Sequence, residues 1–440
     1  MLAVLKKNKK TILIFTIYFI AIFIFNFFRP LDMDLIWNYG FSKNVSDGLI
    51  MYKDFNMVIT PFYPAITGLL MKIFSTNLIF FYIINTFYAL LTLIIVYKLD
   101  KKIIFPFFIY FLFDTAPSYN TLSVFYVFLL IYLEKNNKSD YLIGLIISLA
   151  FLTKSSIGIF LALPTLYYIK KPKKIIKRII PFIITNLIVI GYFYLNNALY
   201  DYINFAFLGL LDFKNGNGNY NILTIISILI VIYIIREYIK TKDFELLYIL
   251  AFMIMTYPLF NPSHFLTAII PLVYYLLKKY SKLNNLINKT APIFILVPIM
   301  ALIVNYITCN PKYDNNLFKY RYLQNEYMSD VKALKDYFND DYDNVYFILM
   351  NSYLYKLALD IPINKFDLPL KGNLGYNGEE ELIKKIEKIK DGSIIIVNNA
   401  YYDKTEDGSK NQSSKKIYNY ITKNYGSIGQ FHKFKVYVKN

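Results

Sequence analysis

Long apolar runs separated by short polar segments fill the chain up to about residue 308. Residues 11–28 and 78–97 contain no charged side chain. A run of roughly 18 or more apolar residues can cross a bilayer as a helix. The first run exceeds the core of a signal peptide and lacks a small-residue cleavage site, so it reads as a retained helix. Further apolar segments predict spans near 103–113, 120–133, 141–152, 157–169, 179–197, 221–238, 246–260, 264–277 and 291–308. The pattern changes after Cys309. Residues 345–349 and 394–398 are short apolar runs rich in β-branched residues, and 431–438 alternate as a strand does. Residues 330–338, 379–390 and 414–424 have helical spacing. Such alternation predicts a small α/β domain. No internal repeat or Gly-rich phosphate loop is present.

Composition agrees with a membrane protein: 56% of the 440 residues are hydrophobic, more than one soluble core of this length would bury. The formal charge of +18 raises a nucleic-acid reading. Its distribution argues against one, because the cations cluster between apolar runs: Lys6 to Lys10, Lys170 to Arg178, Lys278 to Lys282. That is the signature of cytoplasmic loops under the positive-inside rule. The N-terminus is therefore expected inside, together with the turns at 98–102, 134–138, 170–178, 236–242 and 278–289. The turns at 114–120, 153–156, 196–220 and 260–264 are expected outside.

Residues 58–74 test this threading. If they crossed, Lys98, Lys101 and Lys102 would fall outside and every later loop would invert. Pro61, Pro64 and Gly68 interrupt a helix there, so this segment is expected to lie along or dip into the outer leaflet. The result is a polytopic α-helical membrane protein of the plasma membrane, with about eleven spans and its C-terminus outside; the alternative is twelve spans with the cation bias violated. Residues 1–308 form the transmembrane domain, with 29–75 as its first outer loop, and 309–440 the extracytoplasmic α/β domain. The single cysteine, Cys309, forms no intrachain disulfide.

The first outer loop is the most unusual stretch. It reads Arg29-Pro30-Leu31-Asp32-Met33-Asp34-Leu35-Ile36-Trp37, continues through Gly48-Leu49-Ile50-Met51-Tyr52-Lys53-Asp54-Phe55 and reaches Thr60-Pro61-Phe62-Tyr63-Pro64. Trp37, the only tryptophan, suits a membrane interface, and 36–45 has the spacing of a short amphipathic helix. A carboxylate at this surface can act as general base toward a hydroxyl or amine. Two acids at i and i+2 can also share a divalent metal ion. The plainer alternative for Asp32 and Asp34 is solvation of the loop or capping of the helix that follows.

An acid pair after the first span, a helix, a Gly-x-x-x-Tyr-x-Asp-Phe turn and a Pro-rich entry to an apolar segment resemble the first outer loop of GT-C fold glycosyltransferases. These include the protein O-mannosyltransferases and the aminoarabinose transferases acting on lipid A. The motif covers about 35 residues, and the topology extends the likeness along the chain. The resemblance implies a polyprenyl-phosphate-linked sugar as donor and an acid of this loop as catalytic base. Here the acids are Asp32-Met33-Asp34 rather than adjacent, and Thr60-Pro61-Phe62 replaces a Pro-Pro pair, so which acid is the base stays open. The family spacing counted back from Gly48 favours Asp34.

Other outer turns supply candidates. Asp114 opens the turn to Asn120, like the second acidic loop of that family, and can orient an acceptor or ligate a metal; a turn acid or helix cap explains it equally. Lys154, in Phe151-Leu152-Thr153-Lys154-Ser155-Ser156, breaks the charge rule and can pair with a donor phosphate; the alternative is a snorkelling lysine. His264, in Asn261-Pro262-Ser263-His264, can bind phosphate or transfer protons, or simply bond backbone at a helix start. His432 reads as a structural residue of the last strand. Arg321 and Tyr322 suit an interface anchor. No His, Cys and acid cluster has zinc spacing, and no motif demands a cofactor.

The expected function is an inverting hexosyl- or pentosyltransferase moving sugar from a polyprenyl phosphate to a cell-wall polymer, lipid or protein outside the cytoplasm. Two rivals stand beside it. A lipid-linked oligosaccharide polymerase or ligase would share the architecture but would draw on more outer arginines. A transporter or flippase would carry ionisable groups near mid-membrane and two related halves.

Overall fold

The computed structural model describes residues 9–29, 33–113, 118–211, 220–310, 323–349, 352–365, 367–369, 372–398 and 415–439. Asp32, Asp114, Arg321 and Tyr322 lie outside the described residues.

Helix α1 covers Lys9–Phe28 and is followed by α2, Met33–Ser46, and α3, Phe62–Phe74. Next come α4 (Leu78–Leu99), α5 (Ile104–Phe113), α6 (Tyr119–Lys135) and α7 (Asp140–Thr153). Helix α8, Ser155–Ala162, tightens into a 3₁₀ turn at Leu163–Tyr168, where Pro164 cannot continue the α ladder. Helix α9 is Pro172–Leu195; α10, Leu199–Ile203, runs into a π turn at Asn204–Leu208. Then follow α11 (Ile222–Thr241), α12 (Glu245–Phe252), α13 (Pro262–Lys279) and α14 (Ser281–Thr308). Among the described residues, α1, α4, α9, α11 and α14 are long and apolar enough to cross a membrane. The exposed faces of α9 and α11 are lined by isoleucine and leucine, as a lipid-facing surface requires.

Short contacts sort the turns into two ends. At one end Lys98 lies over the Tyr132 ring, Arg178 pairs with Glu134 and Asp140, Lys278 pairs with Glu245, and Asn288 donates to the Lys102 carbonyl. These are the turns whose charge predicts a common side. At the other end Arg29 donates to the Leu112 carbonyl, Thr60 to that of Phe151, Lys53 to that of Asn196 and Asn221 to that of Phe260. Helix α3 has only 13 residues and lies against α2, with Gly68 so close that an added Cβ would sit 2.6 Å from the Ser42 carbonyl oxygen. The chain after α3 returns to α2, where the Tyr39 hydroxyl donates to the Thr76 carbonyl.

The C-terminal region begins with the two-residue pair β1 (Cys309–Asn310) and β2 (Leu323–Gln324), then α15 (Asn325–Phe338). Strand β3 (Val345–Ile348) is followed by α16 (Ser352–Ala358), α17 (Gly378–Glu387), β4 (Ile394–Asn398), α18 (Lys415–Asn424), β5 (Gly426–Phe431) and β6 (Phe434–Val438). The sheet order is β3-β4-β6-β5, with β3 and β4 parallel and the other pairs antiparallel. Sequence periodicity missed β5, whose glycines hide a strand, and merged its end with β6. His432 accordingly sits in the turn between them, not in a strand. Its Nε2 lies 3.0 Å from Asp330, a fully buried carboxylate that also accepts from Lys433 and Tyr355.

This region packs on the first loop of the bundle. Asn56, fully buried, donates through Nδ2 to the Leu368 and Asn373 carbonyls at 3.2 and 2.7 Å. Tyr353 of α16 sits edge-on to Phe41 and covers Gly40. Asn204 accepts from the Tyr376 N–H, and Lys365 pairs with Asp201 at 2.8 Å.

Candidate functional site

The signature loop is held by its own side chains. Gly48 and Tyr52 take positive φ values of 91° and 69°. The Asp54 carboxylate accepts from the Ile50 N–H at 2.7 Å, the Tyr52 hydroxyl donates to the Ile59 carbonyl at 2.7 Å, and Phe55 is fully buried. The Gly-x-x-x-Tyr-x-Asp-Phe motif is thus the internal framework of the loop. Thr60 then ties it to the end of α7 through the Phe151 carbonyl, 2.9 Å away.

That tie brings Lys154 close to the start of α2. Lys154 is the hinge between α7 and α8, in extended conformation, with its N–H bonded to the Ala150 carbonyl. Its Nζ stands 5.3 Å from the centre of the Tyr119 ring, a cation–π distance, and 3.6 Å from Met255 Sδ. Burial pushes the ammonium down to about 8, against the pull of the nearby Asp34 carboxylate. Asp34 lies exposed in the first turn of α2, where an acid complements the helix dipole. Its charge also reaches Tyr119, and that of Lys154 reaches His264.

A cavity of about 350 Å³ opens here, bordered by Thr60, Tyr119, Lys154, Ser155, Ser156 and His264. Two helices begin at its wall. The first N–H groups of α8 have no carbonyl partner within the helix, and Lys154, its capping residue, gives them no side-chain acceptor. Helix α13 starts opposite, capped by Asn261. Unpaired N–H groups, the positive end of a helix dipole and a lysine together form an anion-binding constellation. Phe160, Ile254 and Tyr257 belong both to this cavity and to an apolar groove of about 540 Å³. The groove runs between the Leu163–Tyr168 turn, α11 and α12, and its rim residues Leu163, Leu166 and Tyr167 are exposed.

A crystal structure of ArnT from Cupriavidus metallidurans bound to undecaprenyl phosphate matches 98% of this chain and 98% of its own, at a TM-score of 0.57 and 9% sequence identity. The two chains share one fold. No family model matches the sequence, and neither does any curated protein.

Of the residues singled out from sequence, Lys154 and His264 border one cavity and the charge of Asp34 acts on Lys154, while Asp32 and Asp114 lie outside the described residues. Sequence reasoning passed over Tyr119, the α8 N–H groups and Asn261. The first was hidden by a composition with 43 tyrosines, the others by the absence of any side-chain signal for a backbone donor or a cap. Among the described residues no three His, Cys, Asp or Glu side chains gather to hold a metal ion.

Proposed function

We propose that this chain is a membrane glycosyltransferase that moves a sugar from a polyprenyl-phosphate donor to an acceptor outside the cytoplasm. The observation that carries this reading is the continuity between the Lys154 cavity, built for an anion, and an apolar groove with an exposed rim. A phosphate on a long isoprenoid needs that pairing of a polar head site with a greasy channel. The fold shared with ArnT, crystallised with undecaprenyl phosphate, supports the same ligand class.

In this reading residues 1–308 are the catalytic membrane domain, and 309–440 an extracytoplasmic domain that helps select the acceptor. The N-terminus is cytoplasmic. Asp34 takes the proton of the acceptor hydroxyl as its oxygen attacks the anomeric carbon. The bond from that carbon to the phosphate oxygen breaks, its electron pair leaves with the polyprenyl phosphate, and the configuration inverts. Lys154 and the α8 N–H groups stabilise the departing charge. Asp114 is assigned to the acceptor side or to a metal on sequence grounds, and Asp32 as the neighbouring acid. Phosphate leaves readily, so positioning and electrostatics carry most of the acceleration.

The test is envelope glycan mass spectrometry in cells producing the protein or its variants. Asp34→Ala and Asp34→Asn are expected to insert normally and abolish transfer. Full transfer by both, and by an Asp32/Asp34 double variant, would remove the mechanism.

A further inference from the structure

His264 borders the phosphate cavity, and its hydrogen bonds define what it can do there. The backbone N–H of His264 donates to the Asn261 side chain at 2.8 Å. An N–H can donate only to an acceptor, so that atom is the amide oxygen, Oδ1, and the orientation of the amide is fixed. The ring Nδ1 lies 2.9 Å from the same oxygen. Oδ1 offers lone pairs and no hydrogen, so Nδ1 must carry the proton. In the neutral imidazole this leaves Nε2 with a lone pair. The neutral form suits the place, because a second cation beside Lys154 and at a helix N-terminus is opposed by both.

A nitrogen with a lone pair repels a phosphate oxygen and accepts from a hydroxyl. Resting on the glycosyltransferase reading, we infer that His264 is a specificity-determining residue whose Nε2 accepts a hydrogen bond from a hydroxyl of the transferred sugar, and that Asn261 locks it in that tautomer. The sugar is the right occupant because it is joined directly to the phosphate, and Asp34 already serves the acceptor. His264 then leaves phosphate binding to Lys154 and α8. A sugar lacking a hydrogen-bond donor at this position is excluded, since Nε2 would be left buried without a partner.

The test uses the full-length protein in nanodiscs. The chain has two histidines, so ring-nitrogen NMR of ¹⁵N-histidine protein, assigned with His432→Gln, reads the tautomer directly. Protonated Nδ1 and bare Nε2 are expected for His264; the reverse overturns the inference. Two lipids are then titrated: undecaprenyl phosphate, and the sugar-linked polyprenyl phosphate extracted from producing cells. His264→Ala is expected to leave affinity for the first within twofold. It should weaken the second roughly three- to tenfold, the worth of one hydrogen bond. Lys154→Ala weakens both. Equal loss of the bare lipid in His264→Ala and Lys154→Ala, or no loss of the sugar-linked lipid in His264→Ala, would overturn the assignment. Failure of the wild-type protein to bind either lipid would sink the proposed function instead, with the NMR result still deciding the tautomer.

Discussion

At the residue scale, Lys154 is the cation of the candidate site. Its ammonium titrates near 8 because burial disfavours the charge more than Asp34 restores it. A bound phosphate favours the charged form, so the lysine has a higher pKa in the complex than in the free protein. Linkage then fixes the sign. Affinity for undecaprenyl phosphate should be full below about pH 8 and fall as pH rises through that value, up to tenfold per unit. The phosphate is already a dianion in this range, its second pKa lying near 6, so it adds no slope of its own. Lys154→Arg should flatten the profile to beyond pH 10, since guanidinium stays charged, and Lys154→Ala should weaken binding about 10- to 100-fold. A wild-type binding curve with no fall between pH 7 and pH 10 would contradict the assignment. Lys154 was legible in the sequence because it is a cation in a turn that charge balance places outside. Asp34 was legible through the loop motif. Their electrostatic coupling was not, because it joins two elements 120 positions apart in the chain.

At the element scale, the site depends on α8 folding back against α7 immediately after Lys154. Gly158 makes this approach possible: a Cβ there would lie 2.1 Å from the Phe151 Cα. That neighbour is backbone and cannot rotate away, so Gly158→Ala must push the two helices apart. The expected cost is about 1–3 kcal/mol, as for other overpacked sites, and donor affinity should fall with it because Lys154 and the α8 N–H groups move together. Gly191 in α9 is the control, with nothing within 4 Å of its added Cβ. Gly191→Ala should be neutral or stabilising by up to about 1 kcal/mol. Thermal unfolding in detergent compares the two; equal Tm values would refute the packing account. Gly68 plays a similar part between α2 and α3. Pro61 marks the start of α3, but Pro64 and Gly68, expected to interrupt a helix, lie inside an unbroken one: Pro64 sits in its first turn, where no N–H partner is needed, and Gly68 serves the packing on α2. The 3₁₀ break after Ala162, the helix at Leu199–Ile203 and the α16 helix leave no signal in the hydrophobic pattern. They are short, and packing rather than periodicity defines them.

At the scale of the molecule, the C-terminal region is fastened to the loop that carries the candidate base. The most consequential fastening is Asn56, two residues after the Asp54 of the loop motif. Its Nδ2 serves two carbonyls of the segment after α16, those of Leu368 and Asn373, and the side chain is fully buried. The neighbouring ion pair, Lys365 with Asp201, spans the same junction but is partly exposed on both sides. These two ties should differ sharply in weight. Exposed ion pairs contribute about 0–1 kcal/mol, whereas removing a buried donor strands carbonyls that water cannot reach, at about 1–3 kcal/mol each. Asn56→Ala should therefore loosen the junction and Asp201→Ala should leave it closed. Hydrogen exchange reads the difference directly: amides in residues 372–376, among them the Tyr376 N–H held by Asn204, should exchange faster in Asn56→Ala by one or more orders of magnitude and be unchanged in Asp201→Ala. Because the same loop runs on through Val58, Ile59 and Thr60, which line one wall of the Lys154 cavity, the Asn56→Ala protein should also transfer sugar less well and bind undecaprenyl phosphate more weakly. Full transfer and full donor binding by Asn56→Ala would mean that the C-terminal region does not hold the loop in place.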